Sequence, residues 1–287
     1  MIARLLNQCG LYLGPSDRLL KANAANPLGH FEHKGFLDID RKLLKHFKAT
    51  WHEPPELRPN WHLEPALDAL RADAQELAAS FAGQAPWGWK EPRACLFLPF
   101  WKQAIPGMRF VMCVRNPLEV ARSLEKRNHI PIDKGAELWC RYVRQSFEDT
   151  EGSPRLLLFF EDFFSAGEGE IERLLDFCGL SGRGAGLELR SLIAGELRHH
   201  RSALQSLLEE PRITSRCKHL YLGLRAIRLS QGENSRERGD DHQEQDSTVS
   251  ALMQTFKGAA APNTGVTATA SGDAGTFRRF LASLKRS

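Results

Sequence analysis

The sequence predicts an α/β fold built on a parallel sheet. Two apolar runs of strand length, "MRFVMCV" (108–114) and "RLLLFF" (155–160), each lead into a segment of helical periodicity. Both are apolar almost without interruption, as suits parallel strands covered on both faces. Helical and strand patterns then alternate along the chain, the order a layered parallel sheet requires. The 287 residues, 42% hydrophobic and 26% charged, allow a core of ordinary size.

Taken in order, Ile2, Leu5, Leu6 and Cys9 recur at i, i+3, i+4 and i+7, a helix stopped by Gly10 and again by Gly14-Pro15. No capping residue and no strand precede it. Across 63–81, Leu67, Leu70, Ala74, Leu77 and Phe81 share one helical face, and the short aromatic strand "WGWK" (87–90) follows. The strand 108–114 runs into a helix opening at Pro117, where a fixed φ suits the first turn. Leu138, Trp139, Tyr142, Val143 and Phe147 form the next stripe, "RLLLFF" the next strand, and Ile171, Leu174, Leu175 and Cys178 the helix after it. These elements make one domain over 1–230.

From 231 to 276 the chain turns to Gly, Ser, Thr, Ala and charge with few aromatics, which predicts a disordered linker. Over 277–287, Phe277, Phe280, Leu281 and Leu284 share a face among basic residues. That is a short amphipathic docking helix, with a membrane-surface anchor as the alternative.

The 39 Lys and Arg against 35 Asp and Glu leave a net charge of +4, too mild for a nucleic-acid binder without a localised basic stripe. A small anionic ligand needs no more. The six cysteines are scattered without a C-x-x-C pair and read as reduced core thiols. No apolar run approaches the ~18 residues that span a bilayer, and a secretory leader is not evident, so a soluble cytoplasmic protein is expected.

In open α/β sheets ligands bind outside the carboxyl ends of strands, where Arg115 stands, and Ser123 lies two turns into the next helix. A guanidinium fork, a hydroxyl and a helix N-terminus together suit a phosphate. The alternative is an Arg paired with a neighbouring carboxylate such as Glu119 and a Ser facing solvent. "WGWKEPR" repeats the arrangement: Lys90 closes a strand and Arg93 sits in the loop, as anion ligands or as solvated surface cations.

"KEPR" (90–93) followed by "RFVMCVRNPLEVARSL" (109–124) resembles the K-[DE]-P-R and R-[DN]-P-x-x-x-x-x-S segments of bacterial sulfotransferases that use 3'-phosphoadenylyl sulfate. "NPLGHFEHKGFLDIDRKLL" (26–44) is similar to the family's N-P-x-G-[YF]-[FW]-E segment, "LLLFFEDFFSAGEGEIERLLDFCGL" to its Y-E-D-L strand-loop-helix, and "ELRHHRSAL" (196–204) to its late ligand-closing loop. The likeness covers roughly 1–230. It implies a P-loop NTPase-like three-layer fold with a parallel sheet. The implied activity is sulfuryl transfer from 3'-phosphoadenylyl sulfate to a hydroxyl or amine of a small-molecule or carbohydrate acceptor. Arg115 and Ser123 would grip the donor's 3'-phosphate, with Lys90 and Arg93 near the sulfate and 5'-phosphosulfate.

Such transfer also wants a base for the acceptor's proton. Glu32 is the candidate, flanked by His30 and His33, with a surface cap or ion pair as its other reading. His30, His33, His199 and His200 lack metal spacing and the family chemistry needs no metal, so none is expected.

Relatives open with a strand and a Gly/Arg/Ser/Thr-rich loop that holds the 5'-phosphosulfate. "MIARLLNQCGLYLG" matches the helix just after it, so the first central strand is expected to be missing and activity of the chain as given is in question. A truncated P-loop kinase and a non-catalytic nucleotide-binding or interaction module are the alternatives. Acceptor contacts are expected from 46–60 and 127–135.

Overall fold

A computed structural model describes residues 1–23, 26–165, 167–184, 189, 193, 204–234 and 241–257. The chain forms two compact units, Met1–Met108 with Asp162–Leu197, and Arg109–Glu161 with Arg198–Ser287. In chain order the first unit opens with α1 (Ile2–Gln8), α2 (Lys34–His46), α3 (Asp68–Ala79) and α4 (Leu98–Ala104). The second supplies β1 (Phe110–Val114), α5 (Pro117–Asn128), α6 (Ile132–Asp149) and β2 (Arg155–Phe159). Then come α7 (Asp162–Ser165) and α8 (Gly167–Phe177) of the first unit, and α9 (Leu204–Glu209), α10 (Ser215–Asn234) and α11 (Asp241–Lys257) of the second.

In the first unit, α1 forms on its apolar stripe, burying Leu5 and Leu6 without a side-chain cap. His33 caps α2: its Nδ1 accepts from the Gly35 N–H at 3.1 Å. The helix then buries Phe36, Leu37, Ile39, Leu43 and Leu44, together with Asp40. α3 starts at Asp68, later than its periodicity predicts, because Pro65 directs a tight 3-10 turn over Pro65–Leu67. Phe36 stacks on Trp89 with centroids 4.4 Å apart and planes 6° off parallel, and also packs on Phe81 and Trp101.

"WGWK" is not the strand its composition predicts. A single parallel bridge joins Tyr12 to Trp87, with Tyr12 N–H donating to Pro86 O and Gly88 N–H to Tyr12 O, each at 3.0 Å. Pro86 has no N–H to extend the ladder and Gly88 no side chain to pack along it, so pairing ends there.

In the second unit β1 and β2 pair in parallel, in register from Phe110↔Arg155 to Val114↔Phe159. The two strands are unequal. β2 is buried along its whole length, whereas β1 buries only Val114 and exposes Cys113. The expectation of a strand covered on both faces therefore holds for β2 and not for β1. Pro117 opens α5 as its spacing predicts, and Gly135 on α6 lets the helices close: a Cβ there would lie 3.1 Å from the Ala121 Cα.

Residues 241–257, expected to belong to a disordered linker, form α11. Val249, Leu252 and Met253 recur at i, i+3 and i+4, and all are buried in a core shared with Leu220, Leu224 and Phe159. That short stripe was outweighed by the polar composition around it. Gly223 on α10 admits Leu252: a Cβ at that position would stand 2.6 Å from Leu252 Cδ1. The rest of the expected linker beyond 257, the docking helix over 277–287 and the loop segment 196–203 with His199 and His200 lie outside the described residues. No helix among the described residues is long and apolar enough to cross a membrane.

Candidate functional site

At the carboxyl end of β1 the Phe160 N–H donates to Val114 O at 2.8 Å, and the chain turns into α5 at Asn116. The Asn116 side chain accepts from the Leu118 N–H at 2.9 Å, while its own backbone N–H donates to Glu161 Oε1 at 2.7 Å. Both ends of the turn are thus tied, which fixes where residue 115 projects. Burial raises the Glu161 carboxyl above its ordinary range, against the pull of the Asn116 N–H.

Arg115 is held from two sides. Its Nε donates to Glu119 Oε2 at 3.0 Å with Nη2 also 3.0 Å from that oxygen, and its guanidinium lies 4.6 Å from the centre of the Phe160 ring. Glu119 is fully buried; Arg115 retains 27% side-chain exposure. The Glu119 pairing weighed from sequence is therefore formed. Nη1 makes no hydrogen bond to a described residue. Ser123 is half-buried on α5, and no hydrogen bond joins it to Arg115.

In the other unit, Lys90 and Glu32 meet as an ion pair across a long sequence separation, the lysine half-exposed and the carboxylate buried. Glu32 follows Phe31, whose φ of +55° is a left-handed conformation rare for a bulky residue. Its backbone oxygen accepts from Leu20 N–H at 2.8 Å. His33 turns away into the α2 cap, against Phe36 and Phe81, and burial lowers its affinity for a proton. Its Nδ1 is thus occupied by the helix cap, and burial favours the neutral ring.

Arg93 is no solvated loop cation. It ion-pairs with Glu91, whose Oε2 also accepts the Arg93 N–H at 2.6 Å and the Ala94 N–H at 3.1 Å, capping the 3-10 turn Pro92–Leu96. Beneath this turn lies Asp40, absent from the sequence-derived candidates. It is fully buried, and its Oδ1 accepts from Trp101 Nε1 at 2.9 Å. Phe36, Asp40, Leu43 and Leu44 sit at helical spacing on the buried stripe of α2, and a carboxylate in that stripe was the signal that could have marked it.

Residues 18–183, more than half of the chain, match the model of the Sulfotransferase family. The chain belongs to that family. No curated protein and no solved structure matches it. In this sulfotransferase-family chain the match takes in both clusters just described, and the α/β frame with its small parallel sheet agrees with the P-loop-like fold that the sequence motifs implied. Among the described residues no cluster of three or more His, Cys, Asp or Glu is grouped as a metal site would be.

Proposed function

We propose that the protein transfers a sulfuryl group from 3'-phosphoadenylyl sulfate to a hydroxyl or amine of a small-molecule or carbohydrate acceptor. The observation that carries this reading is the family match over residues holding a caged arginine at a strand's carboxyl end beside a capped helix N-terminus. Arg115 with Ser123 takes the donor's 3'-phosphate. The cage supports that role, since a guanidinium already oriented loses little rotamer freedom when it meets an anion.

Lys90 and Arg93 serve the sulfate and 5'-phosphosulfate. The acceptor oxygen or nitrogen bonds to sulfur as the bond between sulfur and the phosphate oxygen breaks, and the electron pair leaves with adenosine 3',5'-bisphosphate. Glu32 receives the acceptor's proton. Its carboxylate lies against the Lys90 ammonium, which sets the proposed base beside the proposed sulfate ligand.

Titration calorimetry with adenosine 3',5'-bisphosphate tests the reading. Arg115→Ala is expected to weaken binding by about 2–5 kcal/mol, because a phosphate loses its charged partner. Glu32→Gln is expected to leave that affinity in place and to lower transfer from labelled donor by about 10²-fold or more. Parent-like binding by the Arg115 variant would remove the clamp, and binding without any transfer would favour a non-catalytic nucleotide-binding module.

A further inference from the structure

The buried carboxyl of Asp40 has no place in the chemistry above, yet it lies directly under the segment that carries Lys90 and Arg93. Its Oδ1 is satisfied by the Trp101 indole N–H at 2.9 Å, but Oδ2 is buried and receives no hydrogen bond. What faces Asp40 is the Glu91 carboxyl, itself buried and already accepting from Arg93 Nη1, Arg93 N–H and Ala94 N–H. Two acceptors facing each other in a dry site repel unless a proton lies between them. The charges point the same way: among the described residues the cation that acts on Asp40, Arg93, is the one already paired with Glu91. α3, which packs on α2, contributes Asp73, but that carboxylate is paired with Lys42 at the surface.

We propose that Asp40 is a positioning residue for the phosphosulfate-binding segment: it carries a proton on Oδ2 and donates it in a hydrogen bond to Glu91, which in turn holds the Arg93 side chain and the 3-10 turn. This rests on the donor-binding role proposed for Lys90 and Arg93. The chain of contacts runs from Trp101 through Asp40 and Glu91 to Arg93, so one buried acid sets where a cation points. Burial and the Glu91 charge both raise the Asp40 carboxyl well above the ordinary aspartate range, in agreement with this geometry.

The sign of the pH effect follows. Between the ordinary aspartate value and the raised native one, the native chain holds a proton that the unfolded chain has released. Stability therefore falls as pH rises through that window.

The test compares the full chain with Asp40→Asn, whose amide also donates, and Asp40→Leu, which cannot. Infrared spectra at neutral pH should show a protonated-carboxyl band in the parent that disappears in Asp40→Asn. Relative to the parent, Asp40→Asn should gain stability as pH rises, and it should bind adenosine 3',5'-bisphosphate within about twofold of the parent. Asp40→Leu, where it folds, should bind about tenfold more weakly, the loss of one hydrogen bond to a charged group. Identical infrared spectra for the parent and Asp40→Asn, or an Asn variant as impaired as the Leu variant, would overturn the proposal. A parent that shows the band and the pH slope but binds no bisphosphate would sink the donor reading instead, with the Asp40–Glu91 hydrogen bond upheld.

Discussion

At the scale of single residues, the clearest electrostatic commitments are made by side chains that accept backbone hydrogen bonds. His33 Nδ1 accepts the Gly35 N–H, and Gly14 closes over the ring so tightly that a Cβ there would lie 2.6 Å from His33 Cδ2. An imidazole in this position cannot bind a proton at Nδ1 without breaking the helix cap, and burial already lowers its pKa. The unfolded chain has no such restriction and protonates near the ordinary histidine value. Below that value the imidazole binds a proton in the unfolded state and not in the native one, so the contribution of His33 to stability is present at neutral pH and declines as pH falls. In urea unfolding from pH 8 to pH 5, the stability of the parent relative to His33→Asn, which can cap without titrating, is expected to fall as pH falls.

The elements owe their ends to short polar side chains as much as to apolar spacing. Asn116 is buried at the head of α5, its side chain spent on Leu118 and its N–H on Glu161. Pro117 follows with its φ preset for the first turn. Asn116→Ala is expected to cost about 1 kcal/mol of stability in urea unfolding. It should also weaken bisphosphate binding, since Arg115 directly precedes the cap. The same logic separates "WGWK" from β2. β2 has five consecutive paired residues buried on a packed core, whereas Trp87 makes one bridge and its neighbours spend their area on aromatic stacking.

At the scale of the whole molecule, each unit has its own organising cluster. In Met1–Met108 with Asp162–Leu197 it is the aromatic group around Phe36, and in the other it is the apolar core between the sheet and α5, α6, α10 and α11. α11 contributes Val249, Leu252 and Met253 to that core, each at or near zero exposure. Leu252→Ala is expected to cost about 2–5 kcal/mol, because the leucine is fully buried and fills the notch that Gly223 leaves. Urea unfolding followed by far-ultraviolet circular dichroism checks it. A loss under 1 kcal/mol would mean that α11 is not part of the cooperative core.

The sequence by itself determined the α/β class, the strands at 110–114 and 155–159, the helix opening at Pro117 and the family motifs around Lys90, Arg93 and Arg115. Each of these is a local signal, a periodicity or a short run of residue types. Tertiary structure alone decided that Glu32 meets Lys90, that Asp40 lies beneath Glu91 and Arg93, and that a polar stretch docks as α11. These are pairings between residues far apart in the chain, or burials that a few apolar side chains win against their neighbours' polarity. The energy that selects them arises only when distant surfaces leave water together, so no window of sequence contains it.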